Sequence, residues 1–559
     1  TTDCGAGEDL IKNSAYKKGM LGRDDVPSEQ AVAQAYLAGL NLECSLSGGN
    51  ASTTYGVDAV KNGYLSEDKL DTAVYELFLQ RFKTGEFDDD SEYRDINKNV
   101  IESDEHVAVA EEAAEESWVL LKNDDDILPL TEDDKNIAVV GARASEVILG
   151  DYSGTPTKTV NPVDGITEEI QKKYPDSKVS YLGGVSNTTP LFNIKSISLV
   201  DESGKKTNLD LSKAQIEGAS YEDGIIKDVT KNASIVIPDV DFSKAKNISM
   251  EIATGSQAGG KISVHYGKGG PIGASIESSA TDSIDTYTEC VGAYTGADGG
   301  YSGTNDMELT IEANTPTFSV DKYKSDLDNA DVIIAYASTM WGSGGDASES
   351  HDRADIDLPD TQSHVQAIAD AYPEKTVVVM QAVGQINVEP FMDKCKAILW
   401  TSYNGQTQGT AIGKVLSGEV NPSGRLTTTW YKNADVEKME LANRSKQTID
   451  GIEGYYTDYN IQADGTNPGH TYQYYQNTPV YPFGYGLSYT SFEYSNITAD
   501  KSEANANGNI KFTADVKNTG NTKGKEVVQL YISHPQTDGM IPAKQLKGFE
   551  KIELEPQET

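Results

Sequence analysis

The chain has 559 residues, enough for three or four domains of ordinary size. With 87 acidic against 47 basic residues it carries a net charge of −40, so nucleic acid and anionic membrane surfaces repel it, while a neutral ligand does not conflict with that balance. No apolar run approaches the roughly 18 residues of a membrane-spanning helix. Its four cysteines, Cys4, Cys44, Cys290 and Cys395, are too scattered for a disulfide scaffold and lack zinc spacing.

Residues 28–39 place Ala31, Ala35 and Ala38 at helical spacing. Residues 40–44 read as a short strand that ends in a polar Gly/Ser loop. Ser66 starts a helix with an acidic first turn, and Leu70, Val74, Leu77 and Phe78 share one face of it. A helix over 104–118 leads into Val119-Leu120-Leu121-Lys122-Asn123, and a strand at 137–141 opens an α/β domain. Neither G-x-G-x-x-G nor a Walker pattern follows that strand, which rejects a nucleotide site. Helical periodicity stops near Gly183 and resumes near Ser319. Between them, short alternating runs at 234–237, 248–253, 261–266 and 307–311 predict an all-β insertion, a two-sheet jelly roll.

The runs 331–337, 376–380 and 397–400 are continuously apolar, as in buried parallel strands, with helices over 364–372 and 410–416. Residues 432–478 read as an irregular loop. In Tyr481-Pro482-Phe483-Gly484-Tyr485-Gly486-Leu487-Ser488-Tyr489-Thr490, glycine and proline set turns and the aromatics are expected to pack domains together. Alternation from Phe492, at 510–518 and 527–532, predicts a terminal β-sandwich.

Two short stretches carry the chemistry. One is Glu349-Ser350-His351-Asp352-Arg353, on a long polar loop after the strand at 331–337, where open α/β sheets place ligand-contacting groups. The other is Thr1-Thr2-Asp3-Cys4-Gly5-Ala6. His351 and His364 suggest a triad, but no G-x-S-x-G elbow accompanies them. Together with Leu128-Pro129-Leu130, Asn404-Gly405-Gln406 and the 418–426 and 481–490 runs, the two stretches resemble glycoside hydrolase family 3 over most of the chain.

That resemblance implies a multidomain α/β plus all-β chain. Residues 1–87 would be the end of a (β/α)8 barrel carrying the nucleophile. Residues 88–183 with 319–445 would be an α/β sandwich carrying the acid/base. The jelly-roll insertion would span 184–318, a linker 446–490, and an incomplete fibronectin type III-like β-sandwich 491–559. Two of eight strands cannot close a parallel barrel, so the others are expected upstream or from another chain; lacking an initiator methionine and a signal peptide, the chain is expected to be processed or a fragment.

Asp3 is then the nucleophile and Glu349 the general acid/base, with Asp346 and, less so, Asp352 as fallback acids. Asp352-Arg353 is expected to be an orienting pair, and Glu43 to bind sugar hydroxyls. The resemblance also pairs Cys4 with Cys44 in a disulfide beside the nucleophile, crowding out a hydroxymethyl group and favouring a pentose; two buried free thiols are the competing reading. The activity implied is a retaining exo-β-glycosidase that releases β-D-xylosyl residues from plant oligosaccharides, with β-glucosidase as the alternative and a non-catalytic carbohydrate-binding fragment as the alternative of another class. No cofactor or catalytic metal is implied. Partners are the oligosaccharide, not nucleic acid or membrane, and a homo-oligomer or a chain supplying barrel strands; a secreted setting is preferred over a periplasmic or cytoplasmic one.

The insertion looks like a family 6 carbohydrate-binding module through Ile216-Glu217-Gly218, Val240-Asp241-Phe242, Thr286-Tyr287 and Gly303-Thr304-Asn305-Asp306. Modules of that kind often hold structural calcium, with Glu217 and Asp306 as oxygen-ligand candidates here. A purely structural module is the equal alternative.

Overall fold

A strand that is apolar at every position needs cover on both faces, and this requirement organises the larger part of the chain. The computed structural model describes residues 1–12, 26–44, 50–91, 93, 95–150, 153–183, 190–230, 233–254, 260–278, 286–296, 301–313, 318–339, 353, 355–359, 362–439, 446–449, 452–455, 467–505, 508–533 and 542–559. They fall into two units, Thr1–Ser103 with Glu440–Asn460, and Asp104–Met439 with Ile461–Thr559.

The first unit is built from helices α1 (Ala6–Lys12), α2 (Ser28–Leu37), α3 (Ala51–Lys61) and α4 (Glu67–Lys83). Side-chain caps set two of the starts. Asn50 accepts from the Thr53 N–H at 2.7 Å, and Ser66 accepts from the Lys69 N–H at 3.2 Å. Its small core joins Ile11, Val26, Ala31, Val32 and Ala51. One sequence expectation changes here. Residues 40–44 do not form a strand: Thr2 N–H donates to Leu42 O and Gly5 N–H to Cys44 O, but Cys44 N–H donates to the Thr2 hydroxyl, so a side chain interrupts the ladder. The apolar face of α4 is largely open to solvent. Ala73 is buried, whereas Val74, Phe78 and Phe82 are exposed.

In the second unit, α5 (Asp104–Glu116) precedes β1 (Val119–Asn123) and β2 (Asn136–Val140). Then come α6 (Pro162–Lys173) and β3 (Lys178–Leu182). After the insertion follow β4 (Val332–Ser338), α7 (His364–Ala371), β5 (Thr376–Gln381), β6 (Ala397–Thr401) and α8 (Gln408–Ser417). The sheet order is β1-β6-β5-β4-β2-β3, with β1 antiparallel to β6 and the other pairs parallel. Strand alternation splits its side chains between two cores. Ile333, Ala335 and Ala337 join Val378 and Met380 on one face; Ile334 and Tyr336 join Val377 and Val379 on the other. Chain order reverses between β2 and β4, a topological switch point, where such sheets leave a crevice at their carboxyl ends.

Helices α6 and α8 meet backbone to backbone. A Cβ on Gly165 would lie 2.0 Å from the Gly409 carbonyl, so only glycine fits that crossing. The 481–489 aromatics serve packing: Tyr481 lies 5.9 Å from Trp430 and 5.1 Å from Tyr485, ring centre to ring centre, and the Tyr489 hydroxyl donates to Val415 O at 3.0 Å.

The insertion contains two antiparallel sheets, one centred on Phe192–Val200 and Asn247–Ala253, the other on Gly260–Tyr266 and Thr304–Ala313. Ile197, Ile248 and Met250 from the first meet Ile235, Ile262 and Leu309 from the second in one core. All four predicted runs lie in strands. The insertion leaves β3 at Gly183, whose Cα faces the ring of Phe318 on the returning chain. Where an irregular loop was expected over 432–478, the described residues include helices Asn433–Val436 and Thr471–Tyr474 and a hairpin of Lys446–Ile449 with Ile452–Tyr455. Two hairpins close the chain, Phe492–Ala499 with Phe512–Asn518 and Gly524–Ser533 with Lys544–Leu554.

Candidate active site

Asp3 sits in a turn stitched to the 42–44 segment. Its backbone carbonyl accepts from Ala6 N–H at 3.2 Å as α1 begins, and Gly5 takes a φ of 87°, a left-handed conformation open to glycine. Its side chain is exposed, and one oxygen accepts the Cys4 N–H at 2.8 Å. Cys4 and Cys44 form a disulfide with their Cα atoms 4.4 Å apart. Asp3, Cys4 and Glu43 line one cleft of about 380 Å³, floored by Leu10, Val32 and Leu40. The turn therefore presents a carboxylate at the rim of a small, largely apolar hollow.

Glu43 does not stand free in that hollow. One carboxylate oxygen accepts the Ala51 N–H at 2.9 Å and the other the Ser52 N–H at 2.8 Å. These are first-turn donors of α3, which have no partner within their own helix. Sequence reading missed α3 and so gave Glu43 no competing role. The Asn50 cap was the available signal.

In the second unit, Glu349, Asp346 and Asp352 lie outside the described residues. The anchors of their loop are described. At the end of β4, the buried Gln362 amide accepts from the Ser338 N–H at 2.7 Å and donates to the Ser338 carbonyl, as a neighbouring strand would. Val383 N–H donates to the Thr339 hydroxyl, which also lies 3.0 Å from the Tyr403 hydroxyl. On the far side of the loop, Arg353 donates to Gln385 O, and Asn387 binds both Ile356 O and the Asp357 carboxylate, each at 2.7 Å. These groups fix the two feet of the loop from three strand ends. Sequence reading had not singled out Gln362, Thr339, Tyr403 or Gln385; uncharged polar residues carry no pattern that marks them.

His364 belongs to this scaffold. It is buried, burial holds its ring below the usual histidine range, and Nε2 lies 2.8 Å from the Tyr336 carbonyl. That nitrogen carries the proton, since a carbonyl only accepts. A Cβ on Gly141 would come within 2.4 Å of the same carbonyl, so glycine is required there too. Among the described residues no group of three or more His, Cys, Asp or Glu is arranged to hold a metal ion, Glu217 and Asp306 included, and no helix is long and apolar enough to cross a membrane.

The Glycosyl hydrolase family 3 C-terminal domain matches residues 118–489, and a fibronectin type III-like domain matches 526–559. The first match covers more than half of the chain, which therefore belongs to glycoside hydrolase family 3. Among curated relatives, a xylan 1,4-beta-xylosidase of Xylanibacter ruminicola is 27% identical over 100% of this chain and 63% of its own length. Thermostable beta-glucosidase B of Acetivibrio thermocellus is 28% identical over 93% of this chain and 50% of its own. The chain thus spans between half and two thirds of these relatives. Solved structures sharing the fold include a family 3 exo-beta-xylosidase in complex with a xylobiose aziridine probe, at 22% identity and a TM-score of 0.60, covering 100% of this chain and 54% of that one. A beta-glucosidase of Kluyveromyces marxianus in complex with glucose matches at 21% identity and a TM-score of 0.62, covering 94% of this chain and 65% of that one.

Proposed function

We propose that this chain carries the catalytic pair of a retaining exo-β-glycosidase that removes terminal β-D-xylosyl residues from oligosaccharides. The observation that carries the reading is the Asp3 turn: an exposed carboxylate at the rim of a small cleft, tied by a disulfide to the segment facing it. In this reading the first unit supplies the end of a (β/α)8 barrel. The exposed apolar side of α4, at Val74, Phe78 and Phe82, is the kind of surface that further barrel elements cover. The insertion is a jelly roll of carbohydrate-binding type.

Asp3 attacks the anomeric carbon while Glu349 gives its proton to the departing glycosidic oxygen. Water, deprotonated by the same Glu349, then displaces Asp3 from the glycosyl-enzyme, with net retention. Retention calls for the two carboxyl groups to approach to about 5–5.5 Å across the sugar. Asp352-Arg353 orients the acid. The Cys4–Cys44 bridge occupies space beside the nucleophile that the hydroxymethyl group of a hexose needs, which favours xylose. β-Glucosidase activity is the second reading, favoured by the β-glucosidases among both relatives and fold neighbours.

The test is an Asp3→Asn substitution in the whole protein, assayed on aryl β-xyloside and aryl β-glucoside. Loss of both activities in Asp3→Asn, with added azide restoring turnover of the shorter Asp3→Gly as an inverted glycosyl azide, supports Asp3 as nucleophile. Undiminished hydrolysis by Asp3→Asn overturns it. The rate ratio on the two substrates decides between xylose and glucose.

A further inference from the structure

Glu43 faces the same cleft as Asp3, yet its surroundings are those of a structural clamp. Both carboxylate oxygens receive backbone N–H groups from the first turn of α3, at 2.9 and 2.8 Å from Ala51 and Ser52. The positive end of that helix adds to the attraction. The other side of the carboxylate lies against α1. A Cβ built on Gly7 would sit 1.9 Å from Glu43 Oε1, inside any permissible contact. Gly7 is therefore the residue whose lack of a side chain lets the carboxylate fill the gap between the two helices. α1 starts directly from the Asp3 carbonyl, through the Ala6 N–H at 3.2 Å. Glu43 also precedes Cys44, whose N–H reaches the Thr2 hydroxyl at 3.0 Å and whose sulfur bonds Cys4.

We propose that Glu43 is a positioning residue, not a sugar ligand: wedged between Gly7 of α1 and the N-terminus of α3, it sets the direction in which the Asp3 turn presents its carboxylate. This rests on the reading of Asp3 as nucleophile. A sugar ligand would give up binding when removed, raising KM. A positioning group leaves binding and loses rate, because a displacement of about 1 Å at the attacking atom costs on the order of a hundredfold.

The experiment compares Glu43→Ala, Gly7→Ala and the double variant in the whole enzyme, on an aryl β-xyloside, with amide hydrogen exchange in α2 and α3 to verify that the first unit is folded. Glu43→Ala is expected to lower kcat by about tenfold to a hundredfold with KM within about threefold of the parent. Gly7→Ala, which pushes the carboxylate aside, is expected to lower kcat in the same way. Because both act at one contact, the double variant is expected to be no worse than Glu43→Ala alone. Should Glu43→Ala fail to fold, Gly7→Ala and Glu43→Gln, which keeps one acceptor oxygen, carry the same comparison of kcat with KM. A raised KM at intact kcat, unchanged kinetics, or losses that multiply in the double variant would overturn the proposal. Asp3→Asn separates the two ideas. If it is inactive while Glu43→Ala keeps its kcat, only the positioning role falls; if Asp3→Asn turns over as the parent does, the nucleophile assignment falls with it.

Discussion

Replacing Cys4 and Cys44 together by serine tests how the Asp3 turn is held. The bridge closes a loop with a sequence separation of 40, and loop-closure entropy for that length gives a stabilisation of about 4 kcal/mol. The hydrogen bonds that join the same two segments, Thr2 N–H to Leu42 O, Gly5 N–H to Cys44 O and Cys44 N–H to Thr2 Oγ1, contribute about 1 kcal/mol each. The core beneath them is small, and two of its five buried members are alanines. The bridge is thus the largest single contribution to holding the turn. Amide hydrogen exchange in α2 and α3 reads it locally. Opening events that unfold this region become about a thousandfold more frequent in the double serine variant, the equivalent of about 4 kcal/mol. Circular dichroism of the whole chain would show little of this, because most of its ordered residues lie in the second unit. Protection in α2 and α3 that falls by less than about tenfold, with thiol titration showing the bridge absent, would refute the reasoning. The hydrogen bonds and the core would then suffice.

Gln362→Ala strips the buried Ser338 N–H and C=O of their partner, at a cost of about 1–3 kcal/mol for each unsatisfied group. Urea denaturation should show the loss, and kcat should fall as well, because the Glu349 loop leaves the sheet there. Glu116 joins α5 to Lys525 and Lys551 of the last hairpin. Burial alone would raise its carboxyl, but hydrogen bonds and charge from the two lysines outweigh that and hold it below the ordinary glutamate range. A folded-state value below the unfolded one stabilises above the unfolded pKa, about 4.3, and the gain is lost as pH falls through the lower folded value. Melting temperature should therefore fall with acidification below that point, and Glu116→Gln should flatten that part of the profile; an unchanged profile would count against the link.

The α/β sheet was legible because burial on both faces writes itself as unbroken apolar runs: the strands at 331–337, 376–380 and 397–400 needed no other clue. The sheets of the insertion were equally plain from alternation. What escaped was local. α3 lacks apolar periodicity in Ala51-Ser52-Thr53-Thr54, and its start depends on a side-chain cap at Asn50. α6 announced itself with Asn161 before Pro162, a cap followed by a proline at the first helical position, and was still passed over. The strand expected at 40–44 looked right by composition, but a ladder depends on which backbone groups its neighbour offers, and there Thr2 answers with a hydroxyl. At the site, the pairing of Cys4 with Cys44 was readable through family resemblance alone. The place of Glu43 between Gly7 and the first turn of α3 was not readable, because it depends on a glycine 36 positions earlier in the sequence coming into contact with it.

The meeting of Gly183 with Phe318 makes the inserted β domain a detachable cassette. A strand of the α/β sheet stops, more than a hundred residues build a separate structure with a core of their own, and the chain comes back to within touching distance of where it left. A two- or three-residue splice is long enough to close that gap. Selection, or an engineer, can thus exchange or delete the cassette without re-threading the parallel sheet from which the Glu349 loop departs.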